Sequence, residues 1–101
     1  MSDQKTCWVP CLIENSGFTS ERKYEVDLPG GNGKLVGTAY IDYLRDSEND
    51  ELCEDFPPYG ETVKGFVLCR IIKKTEKGLL VEFPGSDVFH VPPEALCHNS
   101  E

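Results

Sequence analysis

The chain has 101 residues, of which 39% are hydrophobic, and its 18 acidic and 10 basic residues give a formal net charge of -8. A chain of this length can bury one core, and its apolar content is too high for a wholly disordered protein. No apolar run approaches the roughly 20 residues that span a bilayer, and the net acidity opposes sequence-independent binding to phosphates. We therefore expect one small domain over residues 1–101 that binds neither membranes nor nucleic acid.

The N-terminus and the cysteines indicate a cellular compartment. Residues 1–6 contain no apolar stretch of the secretory type, which predicts a cytoplasmic protein. An odd number of cysteines would leave one unpaired in any disulfide framework, and cytosolic disulfides are disfavoured. We expect reduced thiols at all five cysteines, which are Cys7, Cys11, Cys53, Cys69 and Cys97.

The N-terminal segment, residues 1–20, is expected to pack on the domain from outside. Residues 7–13 have the composition of a strand, but Pro10 lacks a backbone donor, which predicts an edge position. Trp8, Leu12 and Ile13 are expected to cover the apolar outer side of a later strand.

Apolar and polar residues alternate next. Tyr24, Val26 and Leu28 alternate with acidic residues, which predicts a strand with one buried face. The glycines of residues 29–33 predict a hairpin loop, followed by a return strand over residues 34–44.

Residues 45–60 form a predicted acidic loop that ends at a proline pair. Its acidic residues are Asp46, Glu48, Asp50, Glu51, Glu54 and Asp55. An EF-hand loop starting at Asp46 would need Gly and Glu where Glu51 and Pro57 stand, so the calcium pattern fails. The segment is expected to be either a solvated loop or a docking surface for a basic partner.

The C-terminal part predicts three further strands. Residues 62–73 are apolar on both faces, which requires cover on both sides. Residues 79–83 and 88–91 alternate as returning strands, and residues 97–101 are a predicted tail. Five to six short antiparallel strands without a major helix predict an all-β fold, either a small barrel or a curled sheet.

The segments 60–67, 78–83 and 88–96 resemble the strand rhythm of two groups of small β-barrels. One is the oligonucleotide-binding barrel of the ribosomal type, and the other is the Src-homology-3-like barrel. The resemblance implies a small barrel, and the first group implies RNA binding through exposed aromatic and basic residues. Residues 60–96 hold five basic and five acidic residues, so no basic stripe is present to follow a phosphate backbone.

Two sets of residues suggest chemistry. Cys7, Cys11, Cys97 and His98 form the one metal-like set, but two strand residues four positions apart stand roughly 13 Å apart, too far to share a zinc ion. Cys69 and His90 could form a nucleophilic pair, yet the alternation places the thiol on an apolar face, where thiols are usually inert. The sequence therefore predicts no metal, no cofactor and no enzymatic activity.

The remaining candidates are aromatic residues that flank the acidic loop in sequence. Ring faces beside carboxylates suit a partner that carries Lys or Arg, whereas core packing is the alternative for the same rings. The candidate binding set joins the acidic residues above to Tyr40, Phe56, Tyr59 and Phe66.

We expect a non-enzymatic protein-interaction module. Either it docks a basic partner through this set, or it self-associates through the outer face of residues 66–72. The alternative is an RNA-associated barrel of the oligonucleotide-binding type.

Overall fold

A computed structural model describes residues 5–27, 33–48, 50–53, 56–76 and 78–91, together with the backbone of residues 98–100. A 3₁₀ turn, Ile41–Tyr43, joins the third strand to the fourth. The strands are β1 Thr6–Asn15, β2 Glu21–Asp27, β3 Lys34–Tyr40, β4 Leu44–Asp46, β5 Thr62–Thr75, β6 Gly78–Glu82, β7 Val88–Val91 and β8 His98–Ser100. Within these ranges, no helix has the length and apolar character that crossing a membrane requires.

The strands form one curled antiparallel sheet, which confirms the predicted all-β fold. Six of them follow the order β3-β2-β1-β5-β6-β7, while β4 pairs with β5 and β8 pairs with β1. The concave face of the sheet holds the core. Tyr24 of β2 stacks on Phe83 with ring centroids 6.2 Å apart, and Phe83 meets Phe89 of β7 edge to face at 6.4 Å. These ring contacts join the two ends of the sheet across its concave face.

The N-terminal segment differs from its expected role, because β1 is a central strand. Nine of its residues, Thr6 to Glu14, pair in continuous register with β5. Ile13 faces the concave side and is fully buried, whereas Trp8 and Leu12 lie beside the outer residues of β5 instead of over them. Residues 6–15 thus complete the sheet that they were expected to cover.

Pro10 is compatible with a central strand because its missing N–H faces only one neighbour. The backbone carbonyl of Lys5, just before β1, accepts a hydrogen bond from the Ile71 N–H of β5 at 2.8 Å. Hydrogen-bonded pairs alternate along an antiparallel ladder, so Pro10 and Phe66 form a pair without such bonds, and the nitrogen of Pro10 points away from β5. On that other side, β2 pairs with β1 only from Leu12 onward and β8 only up to Trp8.

Three predicted boundaries also change. The return strand ends at Tyr40, and the predicted loop residues Arg45 and Asp46 belong to β4, whose Leu44 pairs with Val67. Residues 98–100, predicted as a tail, form β8 and pair with the start of β1. Residues 28–32, which include most of the predicted hairpin loop, and residues 92–96 lie outside the described residues.

Candidate functional site

Arg22 is the buried hydrogen-bond donor that organises the loops at one end of the sheet. It lies on the same face of β2 as Tyr24 and Val26, and its exposed fraction is 0%. Its Nε donates to the carbonyl of Phe56 at 2.9 Å, and one terminal nitrogen donates to the carbonyl of Cys53 at 3.0 Å. The guanidinium therefore holds the end of the acidic loop against the sheet.

The other terminal nitrogen of Arg22 binds the turn between β1 and β2. It donates to the carbonyls of Phe18 and Thr19 at 2.9 Å and to that of Glu21 at 2.7 Å. The fixed fork of a guanidinium can serve several acceptors at once. One side chain thus fastens the β1–β2 turn and the acidic loop to each other.

Four exposed aromatic residues lie on this turn or on segments next to it, and we call them the aromatic rim; Tyr43 belongs to the 3₁₀ turn, which is joined to the β1–β2 turn by a hydrogen bond from the Ile41 N–H to the Ser20 carbonyl at 2.9 Å. The exposed fractions are 67% for Phe18, 59% for Tyr40, 44% for Tyr43 and 79% for Tyr59. Tyr40 is the register partner of Glu21 at the end of the turn. On the other side, a Cβ built on Gly17 would lie 3.9 Å from the hydroxyl of Tyr59. Tyr40 and Tyr59 therefore flank the turn that carries Phe18.

Acidic side chains lie next to the aromatic rim in the chain and in the sheet. Glu21 stands opposite Tyr40, and the exposed Asp42 lies between the rim tyrosines in the 3₁₀ turn. The exposed Glu61 follows Tyr59 by two positions, and its N–H donates to the carbonyl of Pro58 at 3.0 Å. The aromatic rim is thus bordered by carboxylates on both sides of the turn.

The four aromatic candidates from the sequence separate into two pairs. Tyr40 and Tyr59 belong to the aromatic rim. Phe56 is half-buried, packs against the core and gives its carbonyl to Arg22, so its ring is a structural anchor for the loop. Phe66 is half-buried on the outer face of β5, between Pro10 and Arg45 on the neighbouring strands.

The acidic candidates also divide. Asp46 uses one carboxylate oxygen to accept the N–H of Glu48 at 2.9 Å and that of Asp50 at 3.0 Å, so it shapes the start of the loop. Glu48 and Asp50 themselves are exposed. Glu51 is exposed and bridges to the backbone of Arg45. Glu54 and Asp55 lie outside the described residues.

The cysteines are placed as packing residues. Cys7, Cys11 and Cys69 are buried on the concave face, where burial raises the pKa of Cys7 to about 11 and that of Cys11 to about 12. Burial, followed by the neighbouring thiols, raises the pKa of Cys69 as well. His90 pairs with Leu80 while its neighbours Phe89 and Val91 pack on the core, so its side chain lies on the face opposite Cys69.

The chain ends meet, as a zinc site built from them would require, because His98 pairs with Trp8 in the sheet. Cys97 lies outside the described residues. Among the described side chains, no three potential metal ligands come together.

Sequence reasoning missed Arg22, Phe18 and Tyr43. Arg22 carried a usable signal, since it continues the two-residue period of Tyr24 and Val26 onto the buried face. Phe18 carried no such signal, because it is a single aromatic residue in a polar segment and its exposure depends on the tertiary fold.

Comparison with known proteins gave no relative: no protein-family model, curated protein or solved structure matches the chain.

Proposed function

We propose that this chain is a non-enzymatic protein-interaction module that holds a basic segment of a partner protein on its aromatic rim. The observation that carries the proposal is the group of exposed rings around one turn, where Phe18, Tyr40 and Tyr59 leave more than half of each side chain in solvent. Exposed aromatic clusters on a small domain are typical of protein recognition surfaces.

The bordering carboxylates favour a cationic partner. A guanidinium over an aromatic ring gains roughly 0.5–2 kcal/mol, and a nearby carboxylate adds charge complementarity and faster association. Arginine stacks on rings more effectively than lysine, so an arginine-rich segment fits this surface best. The same chemistry already occurs inside the molecule, where the guanidinium carbon of Arg45 lies 5.2 Å from the centre of the Trp8 ring.

The attachment of the turn that carries Phe18 to Arg22 supports the proposal further. Residues on a mobile loop lose conformational entropy when they bind, whereas a fastened loop loses less. Three of the five backbone carbonyls that accept hydrogen bonds from Arg22 belong to the β1–β2 turn that carries Phe18. The other two belong to the acidic loop, which leads to Tyr59.

A peptide titration tests the proposal. We expect a 12-residue Arg/Gly peptide to shift the amide signals of residues 17–21, 40–43 and 59–61 in the full chain, in about 0.15 M salt. The matching Lys/Gly peptide should bind more weakly, and a Glu/Gly peptide should not bind. Tyr40→Ala and Tyr59→Ala should each weaken the Arg/Gly peptide by about three- to tenfold.

Val88→Ala is the matched control, because Val88 is also partly exposed, at 43%, but lies on β7. Equal weakening by the control and the tyrosine variants would contradict the proposal, as would binding of all three peptides alike. An oligouridylate added in place of the peptide tests the RNA alternative. Tight and salt-sensitive binding of that RNA would favour the alternative.

Two further expectations belong to this proposal. A cytoplasmic setting accords with the reduced cysteines that we expect. Self-association through the outer face of residues 66–72 remains the second mode of interaction, and it draws support from Ile72, which is 41% exposed. Light scattering of the full chain distinguishes a monomer from a dimer.

A further inference from the structure

A pocket of about 540 Å³ opens where β1 separates from β2. This volume lies within the roughly 300–1,000 Å³ that small-molecule sites occupy. The described residues of its wall are mostly apolar and include Val9, Pro10, Leu12, Val26, Phe66 and Val91. We call it the fork pocket. It is distinct from the aromatic rim, because it shares no residue with that surface.

The sequence accounts for the fork pocket through Pro10. The register of β1 with β2, continued past Leu12 and Glu25, would place Cys11 opposite Val26 and then Pro10 opposite Asp27, the next hydrogen-bonded pair. Residue 10 points its backbone toward β2, as shown by the ladder with β5, and a proline there has no N–H to donate. The pairing of β1 with β2 therefore stops at Leu12, and the two strands part around the pocket.

The charged groups of the wall are not equivalent. Asp27 lies opposite Lys34 in the sheet, and its carboxylate is 4.0 Å from the Lys34 ammonium. Lys64, directly opposite Leu12 on β5, makes no ion pair within the described part of the chain. The described wall thus carries one cation, Lys64, and one anion, Asp27, which lies beside a Lys34 ammonium that also contacts Glu25 at 2.7 Å.

We propose that the fork pocket binds a small molecule that has an apolar chain and a carboxylate, such as a medium-chain fatty acid. The apolar chain would lie against Val9, Val26 and Phe66, which would remove it from water. The carboxylate would stay at the rim of the pocket beside Lys64, whose long side chain can lie along apolar surface and keep its ammonium in solvent. The Lys64 ammonium supplies the charge complementarity that favours an acid over an alcohol, whereas an amine would have to bind on the Asp27 side of the wall.

The net acidity of the chain does not prevent this binding. At physiological ionic strength, exposed charges beyond about 8 Å are largely screened, so the charges next to the carboxylate dominate. The experiment should therefore be carried out at about 0.15 M salt.

Amide NMR titrations of the full chain with decanoate, decan-1-ol and decylamine test the proposal. We expect saturable shifts for residues 9, 11–12, 26–27 and 64–66 with decanoate, and about fivefold weaker binding of the alcohol, which corresponds to about 1 kcal/mol. Decylamine should bind no better than the alcohol. Lys64→Met should weaken decanoate about fivefold and leave the alcohol unchanged.

Two variants serve as controls. Lys73→Met removes an exposed lysine from the same strand outside the pocket, so it should change none of the three affinities. Leu12→Gln should weaken all three ligands, because Leu12 is 37% exposed in the pocket wall and its apolar contact does not depend on the head group. The amide spectrum of each variant verifies that it folds.

Three outcomes would overturn the proposal. The first is the absence of saturable shifts at the pocket up to millimolar decanoate. The second is equal affinity for acid and alcohol together with no effect of Lys64→Met, and the third is a set of shifts confined to other parts of the sheet. None of these outcomes concerns the aromatic rim, so the peptide titration succeeds or fails independently.

Discussion

Gly37 and Tyr24 face each other across β2 and β3, and a Cβ built on Gly37 would lie only 2.8 Å from the Tyr24 hydroxyl oxygen. The ring cannot retreat freely, because it stacks on Phe83 in the core. We predict that Gly37→Ala lowers the free energy of unfolding by roughly 1–3 kcal/mol through overpacking. Urea denaturation followed by fluorescence measures the change.

The controls for this prediction come from the same contact. Gly85→Ala should have a much smaller effect, since its added Cβ would meet its nearest neighbour, an oxygen of Asp87, at 3.6 Å. In a Tyr24→Phe background the cost of Gly37→Ala should shrink, because the closest atom is then gone. An equal cost in both backgrounds would place the strain elsewhere.

Arg22 should be one of the most sensitive positions for stability. Removing its guanidinium takes one donor from five backbone carbonyls, of which those of Phe18, Glu21 and Cys53 keep a second donor. Each buried acceptor that is left unpaired costs about 1–3 kcal/mol. We predict that Arg22→Met destabilises the chain by at least about 3 kcal/mol, which urea denaturation would measure. Arg22→Lys should rescue little, because one ammonium cannot reach both the turn and the loop.

Arg70 is the matched control for Arg22. It forms a hydrogen-bonded ion pair with Glu82 across β5 and β6, but its side chain is 44% exposed. Exposed ion pairs contribute roughly 0–1 kcal/mol. Arg70→Met should therefore cost about 1 kcal/mol or less, and a cost equal to that of Arg22→Met would contradict the role that we assign to burial.

The described cysteines should differ sharply in reactivity. Cys53 is exposed, whereas Cys7, Cys11 and Cys69 are buried and have raised pKa values that keep the thiols protonated at neutral pH. We predict that iodoacetamide at pH 7.5 alkylates Cys53 at least about 100 times faster than the three buried thiols. Peptide mass spectrometry locates each label, and urea should equalise the rates. Fast native labelling of Cys11 would show that the core opens readily.

The stability of the chain should fall in alkali. Burial, followed by the neighbouring Cys69, raises the pKa of Tyr24 to about 12, against a smaller opposing effect of the Gly85 backbone. Within the described residues, no group lies in hydrogen-bonding geometry to the buried Tyr24 hydroxyl. Burial also raises the pKa of the Cys11 thiol from 9.0 to about 12. Below about pH 8, well under their ordinary pKa values, both groups keep their protons in both states. Above their ordinary pKa values the unfolded chain releases protons that the folded chain retains, so the free energy of unfolding decreases with pH.

The expected slope is up to roughly 1.4 kcal/mol per pH unit for each such group, between its ordinary and its raised pKa. Urea denaturation in reducing buffer from pH 7 to pH 11 measures it. Tyr24→Phe should flatten the part of the curve above pH 10 and leave stability at pH 7 equal or higher, because it removes an unpaired buried hydroxyl. A constant stability up to pH 11 would contradict the assigned burial.

The alternating pattern was sufficient to predict β2, β3, β5, β6 and β7, because each exposes one face or is flanked by turn residues. For β1, the composition predicts a strand correctly, but the rule that confines a proline to an edge gives that strand the wrong position in the sheet. The N–H that Pro10 lacks would point toward β2, so its absence leaves the pairing of β1 with β5 on the opposite side intact. Neither β4 nor β8 could be predicted, since three residues carry no periodicity.

The candidate site was predictable only where exposure follows from local sequence. Tyr40 alternates with buried Ala39, so its outward orientation could be inferred. Phe56 and Tyr59 look alike in sequence, yet one ring packs on the core and the other is 79% exposed. That difference depends on the hydrogen bonds that Arg22 makes across the fold, which no local pattern contains.

Pro10 should control the opening of the fork pocket. In Pro10→Ala the new N–H would face β2, in register with Asp27, and could extend the ladder by one hydrogen-bonded pair. We predict that the amide at position 10 becomes protected from hydrogen exchange and that decanoate binds at least about threefold more weakly, since the strands would close over the pocket. Pro84→Ala, in the turn after β6, is the control and should leave decanoate binding unchanged. Rapid exchange of the amide at position 10 together with unchanged decanoate binding would contradict this role of Pro10. The separation of β1 from β2 would then be due to β8, which pairs with the start of β1.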